Sequence, residues 1–135
     1  LKDGSIEPTA KNYEIAASAW RQAQELDKAI ADMEQAAAMS EQGELYARLG
    51  NIYLDSDENE KAIVAINKGL SRGGVKRADS ARLVLGMAYF NARQYDKARE
   101  AFKAAGRDER SAKYAQQWLQ YIDSEVERQA KMRDS

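Results

Sequence analysis

The chain has 135 residues, 32% of them charged, and a formal net charge of −1, so it carries no global basic field for nucleic acid or an anionic membrane surface. It contains no His and no Cys, which removes disulfides, thiolate chemistry, imidazole acid–base work and most transition-metal sites. No apolar run approaches the roughly 18 residues that a membrane span needs, so no direct membrane insertion is expected, and the length suits one compact domain or a short repeat array.

Residues 1–8 are mixed in character, carry Gly4 and Pro8, and read as a linker or disordered terminus. Thr9 then stands as a cap for a helix over 9–22, followed by a second helix over 26–39. Helices are expected next over 42–55 and 58–70. The turn between them, Asp55-Ser56-Asp57-Glu58-Asn59, opens like an EF-hand calcium loop. That loop requires Gly at its sixth position and Glu at its twelfth, where this chain has Glu60 and Ile66. The turn therefore reads as an acidic connection, with Ser56 or Asp57 capping the helix that follows. Gly73-Gly74 ends the fourth helix, within a locally basic connection that holds Arg72, Lys76 and Arg77. Helices over 79–92, capped by Asp79 or Ser80, and over 95–106 come next. From 108 to 131 a single long helix is expected, with an apolar stripe of Tyr114, Ala115, Trp118, Leu119, Ile122 and Val126 at spacings of three and four. Residues 132–135 read as a frayed tail.

These helices recur in pairs. Leu49, Gly50, Tyr53, Ala62 and Ile66 are followed 36 residues later by Leu85, Gly86, Tyr89, Ala98 and Phe102, with identical internal spacing. A weaker copy begins at Tyr13, with Ala17, Trp20, Ala29, Met33 and Ala36. Small residues on facing helices permit an interaxial approach of about 8–10 Å, and recurrence at this period is the mark of a helical solenoid. The pattern Tyr46, Leu49, Gly50, Tyr53, Ala62, Ile66, Gly69, repeated from Arg82 to Ala105, resembles the tetratricopeptide repeat (TPR) family. Arg82 departs from the leading aromatic, and neither copy has the family's closing Pro. The resemblance implies an all-α, TPR-type solenoid in one domain over 9–131. Its repeats would span 9–41, 43–76 and 79–111, with a capping helix over 108–131 that puts Trp118 in the core.

No catalytic constellation, phosphate loop, cofactor motif or metal-ligand set is present in the sequence, and an enzyme is not expected. In stacked helix pairs the first helix of each pair lines the inner surface. The positions facing it include Glu14, Ser18 and Arg21, then Arg48, Asn51, Leu54 and Asp55, then Leu83, Val84, Met87, Phe90 and Asn91. Arg48, Asn51, Leu54, Met87 and Phe90 are the candidate peptide-binding residues. The polar pair would donate hydrogen bonds and the apolar three would form a floor. The apolar end has two readings: an open peptide groove, or a surface covered by Tyr114, Gln117 and Tyr121 of the last helix. The Lys-Asn, Asn, Lys-Arg clamp by which some TPR domains hold chaperone C-termini is absent, since its places hold Glu14 with Ser18, Arg48, and Ser80 with Val84.

A narrower resemblance runs through Gly73-Gly74-Val75-Lys76, Leu85-Gly86-Met87-Ala88, Asp108-Glu109-Arg110-Ser111 and Gln117-Trp118-Leu119-Gln120-Tyr121. These words are similar to the C-terminal part of proteobacterial TPR proteins encoded beside TonB–ExbB–ExbD components. That resemblance implies a periplasmic accessory protein, with a targeting segment upstream of Leu1; a cytoplasmic location is the alternative. The expected function is a non-catalytic scaffold that binds a protein or peptide partner, with no nucleic-acid role. The alternative is a structural segment of a longer array or a self-association module, for which a homodimer is possible.

Overall fold

Amphipathic periodicity explains each helix of the chain. In α2 (Leu26–Ala38) the buried residues are Ala29, Ile30, Met33, Ala36 and Ala37, spacings of three and four that draw one apolar stripe along a helix. The same rule gives α1 (Ala10–Gln22), α3 (Glu44–Asp55), α4 (Asn59–Arg72), α5 (Ala78–Asn91), α6 (Tyr95–Ala105) and α7 (Glu109–Asp134). The computed structural model describes residues 9–134. The linker expected over 1–8 and the last residue of the expected tail lie outside them. Among the described residues there are seven helices and no strand, an all-α fold as the sequence predicts. The first six helices end within two residues of the expected bounds. The seventh runs three residues past 131, so the tail residues 132–134 are helical.

Thr9 caps α1 as expected, its hydroxyl accepting the Asn12 backbone N–H at 3.2 Å. The other expected caps are corrected. Helix α4 is entered through Glu58 and α5 through Arg77, neither with a side-chain cap bond. Asp57 instead takes a left-handed conformation, φ +60°, and Asp79 falls inside the first turn of α5, where a carboxylate favours the positive end of the helix dipole.

The chain divides into two compact units, with the boundary between Lys76 and Arg77. In the first, α1 packs on α2, α3 packs on α4, and α2 joins the two hairpins through α3. Its core holds Ala17, Ala29, Met33, Ile52, Ala62 and Ile66. In the second, α5 packs on α6, and α7 lies against both. Ala98, Phe102, Ala115 and Ile122 form its centre, with Met87, Phe90 and Trp118 packed against them.

The three hairpin turns share one geometry. Gln24, Asp57 and Arg93 have φ of 63°, 60° and 63°. After each, the next residue's N–H reaches back to the carbonyl five residues earlier: Glu25 to Trp20, Glu58 to Tyr53 and Gln94 to Tyr89, each at 2.9 Å. The left-handed residue's own N–H bonds three residues back, to Arg21, Leu54 and Phe90. This is the Schellman motif, which satisfies carbonyls that the helix end leaves free.

Candidate functional site

Arg48, Asn51 and Leu54 lie on α3 in the first unit, and all three are half-buried. The Arg48 guanidinium is already engaged. Its Nη1 pairs with Glu14 on α1, and its Nε donates to Glu44 Oε2 at 3.2 Å. Arg48 therefore ties α1 to α3, with its remaining donors open to a ligand. A second tie joins the same faces at Arg21 and Asp55, 2.7 Å apart. Asn51, by contrast, makes no side-chain hydrogen bond among the described residues. Its amide offers both a donor and an acceptor.

Met87 and Phe90 lie on α5 in the second unit, half-buried. The Phe90 ring meets Tyr95 at 5.4 Å, Trp118 at 5.6 Å and Tyr121 at 5.3 Å between centroids. These are favourable edge-to-face and tilted geometries. Trp118 also stacks on the fully buried Phe102 at 5.2 Å, with an interplanar angle of 8°. Of the two readings of the apolar end, α7 therefore reaches Phe90 with Trp118 and Tyr121. Coverage is partial: Tyr114 and Tyr121 are exposed, and a shallow concavity of about 330 Å³ remains beside Gln117, Trp118 and Tyr121.

Three arrangements went unread in the sequence. The first is the buried carboxylate of Asp79, bound by Arg77 through two hydrogen bonds of 2.9 and 2.7 Å and by the buried Ser111 hydroxyl at 2.7 Å. Arg110 approaches it at 3.5 Å. The Arg77 bonds lead the causes that hold this carboxyl well below the usual carboxylate range, ahead of an opposing desolvation and the help of Ser111. The pair fastens the start of α7 to the start of α5. Arg77 is two positions from Asp79, but Ser111 is 32 positions away, so nothing local in the sequence marks the link to α7.

The second is a close backbone approach in the first unit. A Cβ on Gly43 would stand 1.8 Å from the Gly69 carbonyl oxygen. The Gly50 and Gly86 positions instead admit large side chains from the second helix: a Cβ there would meet Ile66 at 2.2 Å or the Phe102 ring at 2.7 Å. The repeat glycines make room for Ile66 and Phe102, and Gly43 makes room for the Gly69 backbone.

The third is a cleft of about 520 Å³ in the first unit, opening between α2 and α4 over α3. Its floor is Tyr46, Leu49, Tyr53, Val64 and Ala65. The Tyr53 hydroxyl donates to Glu34 at 2.5 Å. Burial, then this bond, raises the Tyr53 pKa well above the ordinary tyrosine value. Tyr46 and Tyr53 read in the sequence as repeat core positions, and the spacing of seven that aligns them along one face of α3 was the available signal.

The sequence pattern of the tetratricopeptide repeat family matches residues 43–72 and 79–105, the segments that form α3–α4 and α5–α6. These two helix pairs carry the tetratricopeptide-repeat pattern. The α1–α2 hairpin lies outside the matched segments and shares their turn geometry. Among solved structures, the TPR domain of Arabidopsis OM64 is similar in fold, with a TM-score of 0.72 at 18% identity, covering 84% of this chain and 95% of that one. MamA is similar with a TM-score of 0.64 at 18% identity, covering 90% of this chain and 81% of that one. No curated protein matches the chain by sequence. Tetratricopeptide repeats are typically non-catalytic modules that bind protein partners, and no helix among the described residues is long and apolar enough to cross a membrane.

Proposed function

We propose that this chain is a non-catalytic scaffold for segments of partner proteins, with one contact face on α3 in the first unit and a separate one on α5 in the second. In the first unit Asn51 and Leu54 are the principal anchors, with Arg48 contributing donors its two carboxylates leave open. In the second, Met87 and Phe90 present the exposed part of an aromatic-rich surface. The observation that supports this most directly is Asn51: a half-buried residue on α3 whose solvent-accessible amide is unbonded among the described residues, while Arg48 one turn before it is paired. Polar groups in such a setting cost little to expose and gain from a ligand backbone that satisfies them.

The test is to capture partners from source-cell extract on the immobilised chain, purify one, and measure its affinity for wild type, Asn51→Ala and Leu54→Ala. Losses of at least about 1 kcal/mol, the level that marks an energetically significant interface residue, support the inner face. Unchanged affinity in both variants overturns it. The narrower reading, a periplasmic accessory of a TonB-type energy-transduction system, draws on the sequence words from Gly73 to Tyr121 alone. It requires TonB, ExbB or ExbD components among the captured proteins, and their absence from envelope extract removes it.

A further inference from the structure

The cleft between α2 and α4 lies on the opposite side of α3 from Arg48, Asn51 and Leu54. At 100° per residue the stripe Tyr46, Leu49, Tyr53 and the stripe Arg48, Asn51, Leu54 point about half a turn apart. A ligand on one face leaves the other free.

The cleft has length and polarity. Tyr46 and Tyr53 mark its ends, seven residues apart on α3, which is about 10 Å at 1.5 Å per residue. At the Tyr46 end, Lys68 Nζ sits 4.7 Å and the Arg72 guanidinium 4.8 Å from the ring centroid. Both cations thus rest against an aromatic face, an attractive arrangement. At the Tyr53 end, Glu34 accepts the tyrosine hydroxyl and Glu60 lines the same cleft one turn before Val64. The lysine at that end, Lys61, lines the cleft 6.0 Å from the Tyr53 ring and pairs with Glu58 at 3.3 Å, so Glu34 and Glu60 leave that end acidic. The lining between the poles is apolar, and Val64, which α4 contributes to it, is 66% exposed. A large exposed β-branched residue in an apolar trough marks a contact surface better than a scattered surface hydrophobe does.

The geometry points to a second docking site here, whose occupant is an amphipathic helix of a protein partner with basic residues at one end and acidic residues at the other. A trough between two helices over a third accepts the ridge of a fourth, and helix-in-groove recognition places apolar anchors at i, i+4 and i+7. Those anchors span the same length of about 10 Å as the Tyr46–Tyr53 floor. Charge complementarity selects the flanks. A segment of uniform sign meets repulsion at one pole, whereas a bipolar segment pairs with Lys68 and Arg72 at one end and with Glu34 and Glu60 at the other.

The test uses three synthetic helical peptides with Leu at i, i+4 and i+7: one flanked by Lys on one side and Glu on the other, one by Lys on both, one by Glu on both. Each is titrated into the isotopically labelled full chain, with amide shifts as the readout. The bipolar peptide is expected to bind most tightly and to move the amides of Tyr53, Val64 and Lys68. Val64→Glu, a change at an exposed position, should weaken it about tenfold or more. Lys68→Glu should make the all-Lys peptide the tightest of the three. Equal affinities, an unaltered affinity in Val64→Glu, shifts confined to Asn51 and Leu54, or no binding of any peptide would each overturn the proposal. The inner-face reading would stand independently, because its variants lie on the other side of α3.

Discussion

Gln24, Asp57 and Arg93 carry the same task at three turns with three different side chains, and each accepts a left-handed backbone to do it. That conformation costs an L-residue roughly 1–2 kcal/mol relative to its preferred region, whereas glycine adopts it freely. Gln24→Gly is therefore expected to raise stability by about 0.5–1 kcal/mol, the remainder being offset by the larger entropy of an unfolded glycine. Urea denaturation reads this directly, and a destabilised variant would mean that the Gln24 side chain makes a compensating contact. Glycine is indispensable elsewhere for the opposite reason. Gly43 is held at φ −82°, so its requirement is space. Gly43→Ala must move a backbone carbonyl, while Gly86→Leu presses on the end of one ring. Both should cost about 1–3 kcal/mol, the usual range for overpacking, with Gly43→Ala the costlier despite the smaller side chain. A Gly43→Ala protein as stable as wild type would show that the Gly69 backbone gives way without cost.

At the scale of the element, sequence periodicity located every helix because each one buries a single stripe, and stripes are local. The turn chemistry was less legible. A Schellman turn without glycine has no residue signal, so Ser56 and Asp57 looked like caps when Asp57 was the left-handed residue. The end of α7 was misjudged for a related reason. Its last residues are polar, but ion pairs one turn apart, such as Arg128 with Glu125 at 2.5 Å and Lys131 with Glu127 at 3.3 Å, support a solvated helix without burial. The candidate site was legible only in part. Spacing identified which residues share a face of α3 or α5, and Glu44 lies one turn before Arg48, but Glu14 and the ring partners of Phe90 come from other helices and cannot be read from local pattern. Helix α7 itself is held along its length: by Ser111 on Asp79 at its start, by Ala115, Trp118 and Ile122 in the core, and by Asp123 on Arg99 and Gln129 on Tyr95 beyond. Trp118→Ala removes its ring contacts with Phe102, Phe90 and Tyr121, and the indole is half-exposed. The expected loss is about 2–4 kcal/mol, at and below the range for a fully buried Trp. A Trp118→Ala protein of unchanged melting temperature would show that Ala115, Ile122 and the polar ties of α7 hold it without the indole. Phe90→Ala should also lower the melting temperature, because its ring joins α5, α6 and α7. Affinity losses at Phe90 must therefore be compared at equal folded fraction.

For the whole molecule, composition and structure together dictate a pH profile. With no His and no Cys, no side chain of ordinary pKa titrates between about pH 6 and 8, so stability should be flat there apart from the chain terminus. The acid limb comes from carboxylates held below their ordinary values: Asp79 by Arg77, Asp108 and Glu125 mainly by hydrogen bonds from Arg110 and Arg128. A depressed pKa contributes fully above the unfolded value, about 4 for Asp and Glu. Its contribution is lost as pH falls from there through the folded value. The alkaline limb has the opposite sign. Tyr53 is raised by burial and by its bond to Glu34, so its contribution is complete below the unfolded tyrosine value of about 10 and is lost as pH climbs beyond it. Urea midpoints measured from pH 2 to 11 should form a plateau bounded by these two limbs. Asp79→Asn should lower the plateau and shrink the acid limb, because the variant has already lost what protonation would remove. Tyr53→Phe should make the alkaline limb shallower and leave the acid limb unchanged. A step near neutral pH, or an acid limb of full size in Asp79→Asn, would show that the charge network around Asp79 does not govern the acid stability of the fold.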